Sequence, residues 1–455
     1  LITILSIALY HYYPKAQISS NQNLNKRMLQ ASLSGPFTVT LKMAADPPCR
    51  GTVLLEDKAK KKVLITHTHS LQKTTFIQQF PIPAGRDITV RGIFNDQPEA
   101  TVREIQLTTP KVRAETTWSL SDSQKSGTIK NTSYLECSSI TGSESLLFFL
   151  LNSVQPLINK SKICCWSLKA KRLLWIKEEH MAIKHIVAVN ESLIAIRYDG
   201  STKAFHAHNG RSLWSTSSQG KEIDRKLFYV KSGILFLRMR KPNNIFAIRL
   251  IDGKILWKRK GEDFRSDWVV NNDGNVYAPV HFTGCLILNA LSGEATKASP
   301  IFPDKVITTT PWLGPKGVYA GVLSGKICRT NLHNNHYSEF SLHGAARFWR
   351  ALSGLLVCLC ENPPQLLAYS PAKNTIVWRV PLNKPTESWF TSAAGLIFLR
   401  HLNAKRVQSL SIIHGQSGLP LAEIEVSTSG LKGPYLSKGR AYFALREGRI
   451  ISISI

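Results

Sequence analysis

Apolar and polar residues alternate in short runs along most of this chain, and no long stretch repeats with the 3.6-residue period of an amphipathic helix. "IFAIRLIDGKILW", Ile245 to Trp257, is representative. Its alternating run ends at Asp252-Gly253, a pair suited to a tight turn because glycine accepts positive φ without a Cβ clash. A second run then carries a tryptophan four residues after the glycine. Side chains of a strand alternate between faces, so Ile245 and Ala247 share one side of the predicted sheet.

The pattern recurs. "KAFHAHNGRSLW" places Ala204, Gly210 and Trp214 where the first copy has Ala247, Gly253 and Trp257; "LLAYSPAKNTIVW" supplies Ala368, Asn374 and Trp378. Weaker copies turn at Lys171, Gly293, Asn335 and Gly418, and successive turns stand 39 to 44 residues apart. A second series runs in phase with the first: "SGILFL", "DGNVYA", "KGVYAG", "SGLLVC", "AGLIFL" and "KGRAYF". A period of about 40 residues holding several short strands and no helix is the signature of a β-propeller blade. Counting the repeats predicts an all-β chain in which residues 115–455 form an eight-bladed β-propeller. The eighth repeat ends at Ile455, one strand short. "AETTWSLSD", just before the first repeat, offers Trp118 in the setting of a repeat-ending tryptophan. Sheets avoid open edges, so Thr116 to Leu120 is expected to pair beside Ile450 to Ile455 and close the ring.

These residues resemble the quinoprotein-type (PQQ-like) propeller repeat, whose pattern runs Ala-x-Asp-x-x-Thr-Gly-x-x-x-Trp. Ala204, Gly210 and Trp214 match it, as do Ala247, Gly253 and Trp257; Ala368 and Trp378 match with Asn374 in the glycine position. The family's Asp is missing: that position holds Ser167, His206, Arg249, Asn289, Asn331, Ser370 and His414. Within the family, the resemblance points to the non-enzymatic subset similar to the bacterial outer-membrane assembly lipoproteins. Its enzymes imply an alternative, a quinone-dependent oxidoreductase with PQQ in the funnel and calcium beside it. A WD-type propeller is the competing fold, but the Gly-His and Trp-Asp pairs it uses are absent.

Ahead of the repeats, "LITILSIALYHYY" runs thirteen residues without a charge. It is short for a spanning helix, which needs about 20 apolar residues. Residues 1–14 therefore read as a signal or membrane-anchor remnant, which would place the rest on the periplasmic or extracellular side. Residues 15–35, rich in Asn, Gln and Ser, read as a linker. Residues 36–112 carry six alternating runs, from "FTVTLKM" to "ATVREIQL", separated by Pro and Gly, as in a small β-sandwich.

Charge narrows the partners. The formal net charge is +28, from 58 Lys and Arg against 30 Asp and Glu, which favours a protein partner with an acidic face, an anionic polymer or a membrane surface. The basic residues are spread end to end, which argues against a dedicated nucleic-acid groove. Little points to catalysis or to a small-molecule substrate. Eight cysteines include no CxxC pair, so zinc-ribbon chemistry has no support. The adjacent Cys164-Cys165 falls inside a predicted strand, unlike the cysteine pair that quinoprotein enzymes hold beside the quinone. His67-x-His69 and His206-x-His208 each place two imidazoles on one strand face, with no third ligand in register. "NNDGN", Asn271 to Asn275, lacks the downstream glutamate of a calcium loop. Asn131, Asn159 and Asn190 sit in glycosylation-type triplets. The expectation is a binding or scaffolding protein with no cofactor and no metal.

Overall fold

The computed structural model describes residues 27–455 except 46–48, 61, 72–75, 96–99, 126–134, 154–159, 218–221, 242, 261–268, 271–273, 281–283, 297–300, 303–304, 306, 308, 315, 323, 332–336, 342–345, 361–362, 383–389, 403–407 and 427–429. The apolar run 1–14, most of "NNDGN", Asn131 and Asn159 lie outside the described residues. No helix among the described residues is long and apolar enough to cross a membrane.

The N-terminal module consists of two antiparallel sheets. Arg27–Gly35, Thr38–Ala45 and Phe76–Pro81 make one; Lys62–Leu71, Cys49–Asp57, Asp87–Asn95 and Ala100–Thr108 make the other. Alternate residues of both turn inward, so that Val39, Leu41 and Met43 meet Val53, Leu55, Val90 and Phe94 in one core. Its first strand corrects the linker boundary. Arg27–Gly35 pairs with Thr38–Ala45, Leu29 opposite Met43 and Ala31 opposite Leu41. Leu29 and Ala31 are buried. The polar residues interleaved with them give the stretch a linker's composition, while the alternation is that of a strand with one open face.

Eight sheets follow among the described residues, called here I (135–179), II (183–215), III (222–260), IV (269–289), V (312–341), VI (346–381), VII (390–425) and VIII (432–454). In each, consecutive strands pair as neighbours in an antiparallel meander. The first strands lie innermost: Leu135–Gly142 of sheet I touches Ile183–Val189 of sheet II on one side and Lys432–Ser437 of sheet VIII on the other. The outermost strand of sheet VIII comes from the far end of the ring. Ala114–Ser119 pairs antiparallel with Arg449–Ser454, Trp118 opposite Ile450. Leu120 leaves the ladder to begin a single helical turn, Leu120–Lys125, so this pairing stops one residue short of the expected segment.

Burial on both faces explains the near-continuous apolar runs. In sheet III, Phe236, Ile245 and Ala247 face sheet IV, while Leu235, Leu237, Phe246 and Ile248 face sheet II. Every successive pair of sheets shares such a core, and the cycle closes where Trp118, Ala444 and Ile450 of sheet VIII meet Leu147, Phe149 and Cys164 of sheet I. The N-terminal module sits against sheets VII and VIII. Phe37 is buried in the core shared by sheets VII and VIII, and the Ala84 N–H donates to the Leu421 carbonyl at 2.9 Å.

An antiparallel meander also separates the loops. First-to-second and third-to-fourth turns emerge on one face of the ring, second-to-third and sheet-to-sheet connections on the other. The described connections of the first face are turns of two to five residues, and along the chain several connections of the second are longer.

Candidate functional site

The repeat residues build one contact, made at four sheet boundaries. Trp175 Nε1 donates to the Ala207 carbonyl at 2.9 Å, Trp214 to Leu250 at 2.9 Å, Trp257 to Ala290 at 2.9 Å and Trp378 to Gly415 at 3.0 Å. Each acceptor lies three residues before the turn position of the next sheet. Each indole also lies flat over that turn position, where a side chain would collide with it. A Cβ at Gly293 would stand 2.5 Å from the Trp257 ring, and one at Gly418 2.7 Å from Trp378; Gly210 under Trp175 and Gly253 under Trp214 are placed alike. Gly253 (φ 73°) and Gly293 (φ 72°) are also left-handed, where a Cβ is disfavoured. Ala204, Ala247 and Ala368 lie directly across the ladder from Trp214, Trp257 and Trp378, and a register shift follows each of them. A small residue there leaves the indole room to turn toward the next sheet.

This geometry explains where the repeat departs from its pattern. The turn needs glycine where the preceding sheet supplies a tryptophan. Asn374 turns sheet VI, and sheet V carries Glu339 in the tryptophan position, across the ladder from Cys328. With no ring to admit, Asn374 keeps a side chain, at φ 57°, and accepts a hydrogen bond from the Tyr369 hydroxyl. Sheet I is the exception. It turns at Lys171, φ 51°, although Trp118 precedes it. Trp118 is buried, yet its Nε1 has no hydrogen-bond partner, and the Leu168 carbonyl stands where the other indoles find theirs. Lys171 carries a Cβ at the position where the other tryptophan-covered turns have glycine. Lys171→Gly is expected to stabilise the protein by about 1 kcal/mol, by removing left-handed strain and letting the indole bond. Urea unfolding of the two proteins checks the sign.

Five of the seven residues in place of the family's Asp bond within these turns. Ser167 Oγ accepts from the Ala170 N–H at 3.0 Å, Asn289 Oδ1 from Leu291 at 2.8 Å, Ser370 Oγ from Lys373 at 3.3 Å and His206 Nδ1 from His208 at 3.3 Å. His414 Nδ1 meets Ser417 Oγ at 2.8 Å, and burial lowers the imidazole pKa from its ordinary 6.5. The folded protein thus favours neutral His414. Its contribution is complete above pH 6.5 and is lost as acid charges the ring. His414→Asn should flatten the fall in thermal midpoint between about pH 7 and pH 5, where protonation of a histidine acts. An unchanged slope would assign that acid sensitivity to other groups.

The remaining candidates lie in cores, on strands and in turns. Cys164 and Cys165 point to opposite faces of their strand, into the core shared with sheet VIII and the core shared with sheet II. Burial pushes the Cys165 thiol up to about 12 and that of Cys164 higher still. Two unionised thiols facing separate cores do not fit a pair held against a quinone. His67 stacks on Phe76, centroids 5.9 Å apart, and meets Phe80 edge-on; the side chain of His69 lies outside the described residues. His206 ends a strand and His208 lies in the turn, with ring centroids 6.0 Å apart. No group of three or more metal-ligating side chains occurs among the described residues.

Two charge clusters escaped sequence reasoning because their members come from distant positions. Glu179 of sheet I, nearly buried, takes bonds from Arg197 at 2.7 Å and Lys203 at 2.9 Å, both of sheet II. Burial opposes its ionisation, but the two bonds prevail and its pKa is lowered. Glu339 is held by Lys305 and Lys326, each at 2.8 Å, whose hydrogen bonds bring its pKa down to about 2.

A closed circle of radially arranged antiparallel meanders, latched sheet to sheet, is a β-propeller. Solved structures share the fold. Crystal structures of BamB from Moraxella catarrhalis (TM-score 0.52, 11% identity, 70% of this chain and 96% of that one) and of the C-terminal WD40 domain of Sif2 (0.52, 10%, 72% and 98%) are similar to it. So is a computationally designed protein, Ika8 (TM-score 0.57, 10%, 71% and 98%). No protein-family profile matches the chain, and no curated protein matches it significantly.

Proposed function

We propose that the chain is a non-enzymatic binding scaffold: an eight-bladed propeller of the quinoprotein-like repeat type, carrying an N-terminal β-sandwich. It is tethered to a membrane through the apolar run at 1–14 and faces the outside of the cytoplasm. The partner is a protein, held on the face with the longer connections. Loops placed by a rigid scaffold are where propellers vary without disturbing their cores. The observation that carries this reading is what the chemically capable side chains do. Cys164 and Cys165 fill cores, while His206 and His414 cap turns. The similar fold of a WD40 domain agrees with it.

Incubation of the purified protein with PQQ and calcium discriminates this reading from the redox one. The expected result is no bound chromophore and no dye-linked alcohol oxidation. A stoichiometric chromophore with turnover would sink the scaffold reading and restore the quinoprotein one.

A further inference from the structure

The tight-turn face of sheets I to IV carries a row of side chains that building the ring does not use. The residue just after the turn position is Arg172 in sheet I, Arg211 in sheet II and Lys254 in sheet III. All three are exposed, and none is among the ion pairs of the described residues. Because they hold one repeat position on successive sheets, they stand at one level along the outer part of the face. Two residues before the turn position, Ile251 of sheet III is 84% exposed and Leu291 of sheet IV 70% exposed. Leu213, on the outer strand of sheet II, is 41% exposed, although this position is open outside the arc too: Val377 of sheet VI is 47% exposed. The corresponding tips of sheets VI and VII are Ala372 and Gln416. Among the described tips, cations and apolar residues therefore come together on the arc of sheets I to IV, while the N-terminal module contacts sheets VII and VIII.

We propose that this arc docks onto an anionic lipid surface. Charge complementarity is the first reason: the arc presents three exposed cations of a chain whose net charge is +28. Asp252 is bound by Arg249 at 2.5 Å; on the outer turns Glu294 of sheet IV is exposed, and Glu144 and Glu191 are exposed on the inner turns of sheets I and II. The shape of the apolar residues is the second. Ile251 and Leu291 stand singly on protruding turn tips, so an acidic protein would need a separate pocket for each. The headgroup and acyl boundary of a bilayer accepts such tips without one, while flanking Lys and Arg meet the lipid phosphates. Docked in this way, the face with the longer connections is directed away from the membrane. The inference does not depend on the partner reading above: a PQQ chromophore would overturn that reading and leave this one standing.

Flotation of the full chain with vesicles tests it, using phosphatidylcholine alone and phosphatidylcholine mixed with phosphatidylglycerol. The protein should float with the mixed vesicles, and less so as salt shortens the screening length to about 8 Å at physiological ionic strength. Replacing Arg172, Arg211 and Lys254 together by Gln should weaken partitioning about fivefold per cation, on the order of a hundredfold in all. Ile251→Ser with Leu291→Ser should weaken it about tenfold or more while leaving retention on heparin unchanged. These side chains are exposed, so thermal midpoints should stay put. Insertion of the run at 1–14 is common to both vesicle types, so partition coefficients at limiting lipid are compared. A coefficient no higher on mixed than on neutral vesicles, or an Ile251 and Leu291 variant with the parent's coefficient, would overturn the proposal. Heparin retention without flotation would also overturn it, and would make a soluble acidic polymer the ligand.

Discussion

Replacing residues 114–119 with a glycine–serine stretch of equal length should destabilise this protein more than any other change of that size. The segment is the outer strand of sheet VIII, with Trp118 opposite Ile450 and Ala114 opposite Ile453. Trp118 is also buried against Phe149 of sheet I, ring centroids 4.4 Å apart. Truncating a buried tryptophan alone costs about 3–5 kcal/mol. Losing the strand adds the unpaired edge of Arg449–Ser454 and an uncovered core between the first and last sheets. Together these approach the whole stability of a typical domain, about 5–15 kcal/mol. The expected readout is a large drop in thermal midpoint with aggregation, since an open edge recruits other chains. The same replacement in a surface connection serves as the control. If the two midpoints fell together, the ring would not be held shut by this strand.

The second large effect is expected at Trp257. Trp257→Ala removes an indole packed between sheets III and IV, beside Phe236, and leaves the Ala290 carbonyl without its donor. The cavity costs about 3–5 kcal/mol, and the lost hydrogen bond about 1 kcal/mol more. Gly293→Ala should be damaging for a linked reason, because its Cβ would enter the space of the Trp257 ring. Combining the two changes tests the latch. With the ring gone, Gly293→Ala should cost only the left-handed strain, about 1 kcal/mol. The double variant would then be more stable than the sum of the single effects implies. Strict additivity would mean that the indole does not rest on the glycine. The damage should be to stability, with no selective loss of binding.

The sequence by itself determined the strand content, the period and the place of the latch. Those features depend on neighbours along the chain. Alternation assigns Ile245 and Ala247 to one face and Phe246 to the other, and the spacing of Gly253 and Trp257 follows from a single turn. The strands of the N-terminal module were legible for the same reason, except Arg27–Gly35, whose polar face hid its alternation. Only the tertiary structure decided what each latch residue meets, because the partner lies in the next sheet. The Trp214 indole rests on Gly253, some 40 residues on, and not on the Gly210 of its own repeat. That is why Asn374 could look like a defect in the repeat: the reason it can keep a side chain is Glu339, in the preceding sheet. Glu179 met Arg197 and Lys203, and Phe37 found the seam between sheets VII and VIII, by the same kind of long-range contact. Local pattern chooses which face a side chain takes, and only ring closure sets which surface that face will meet.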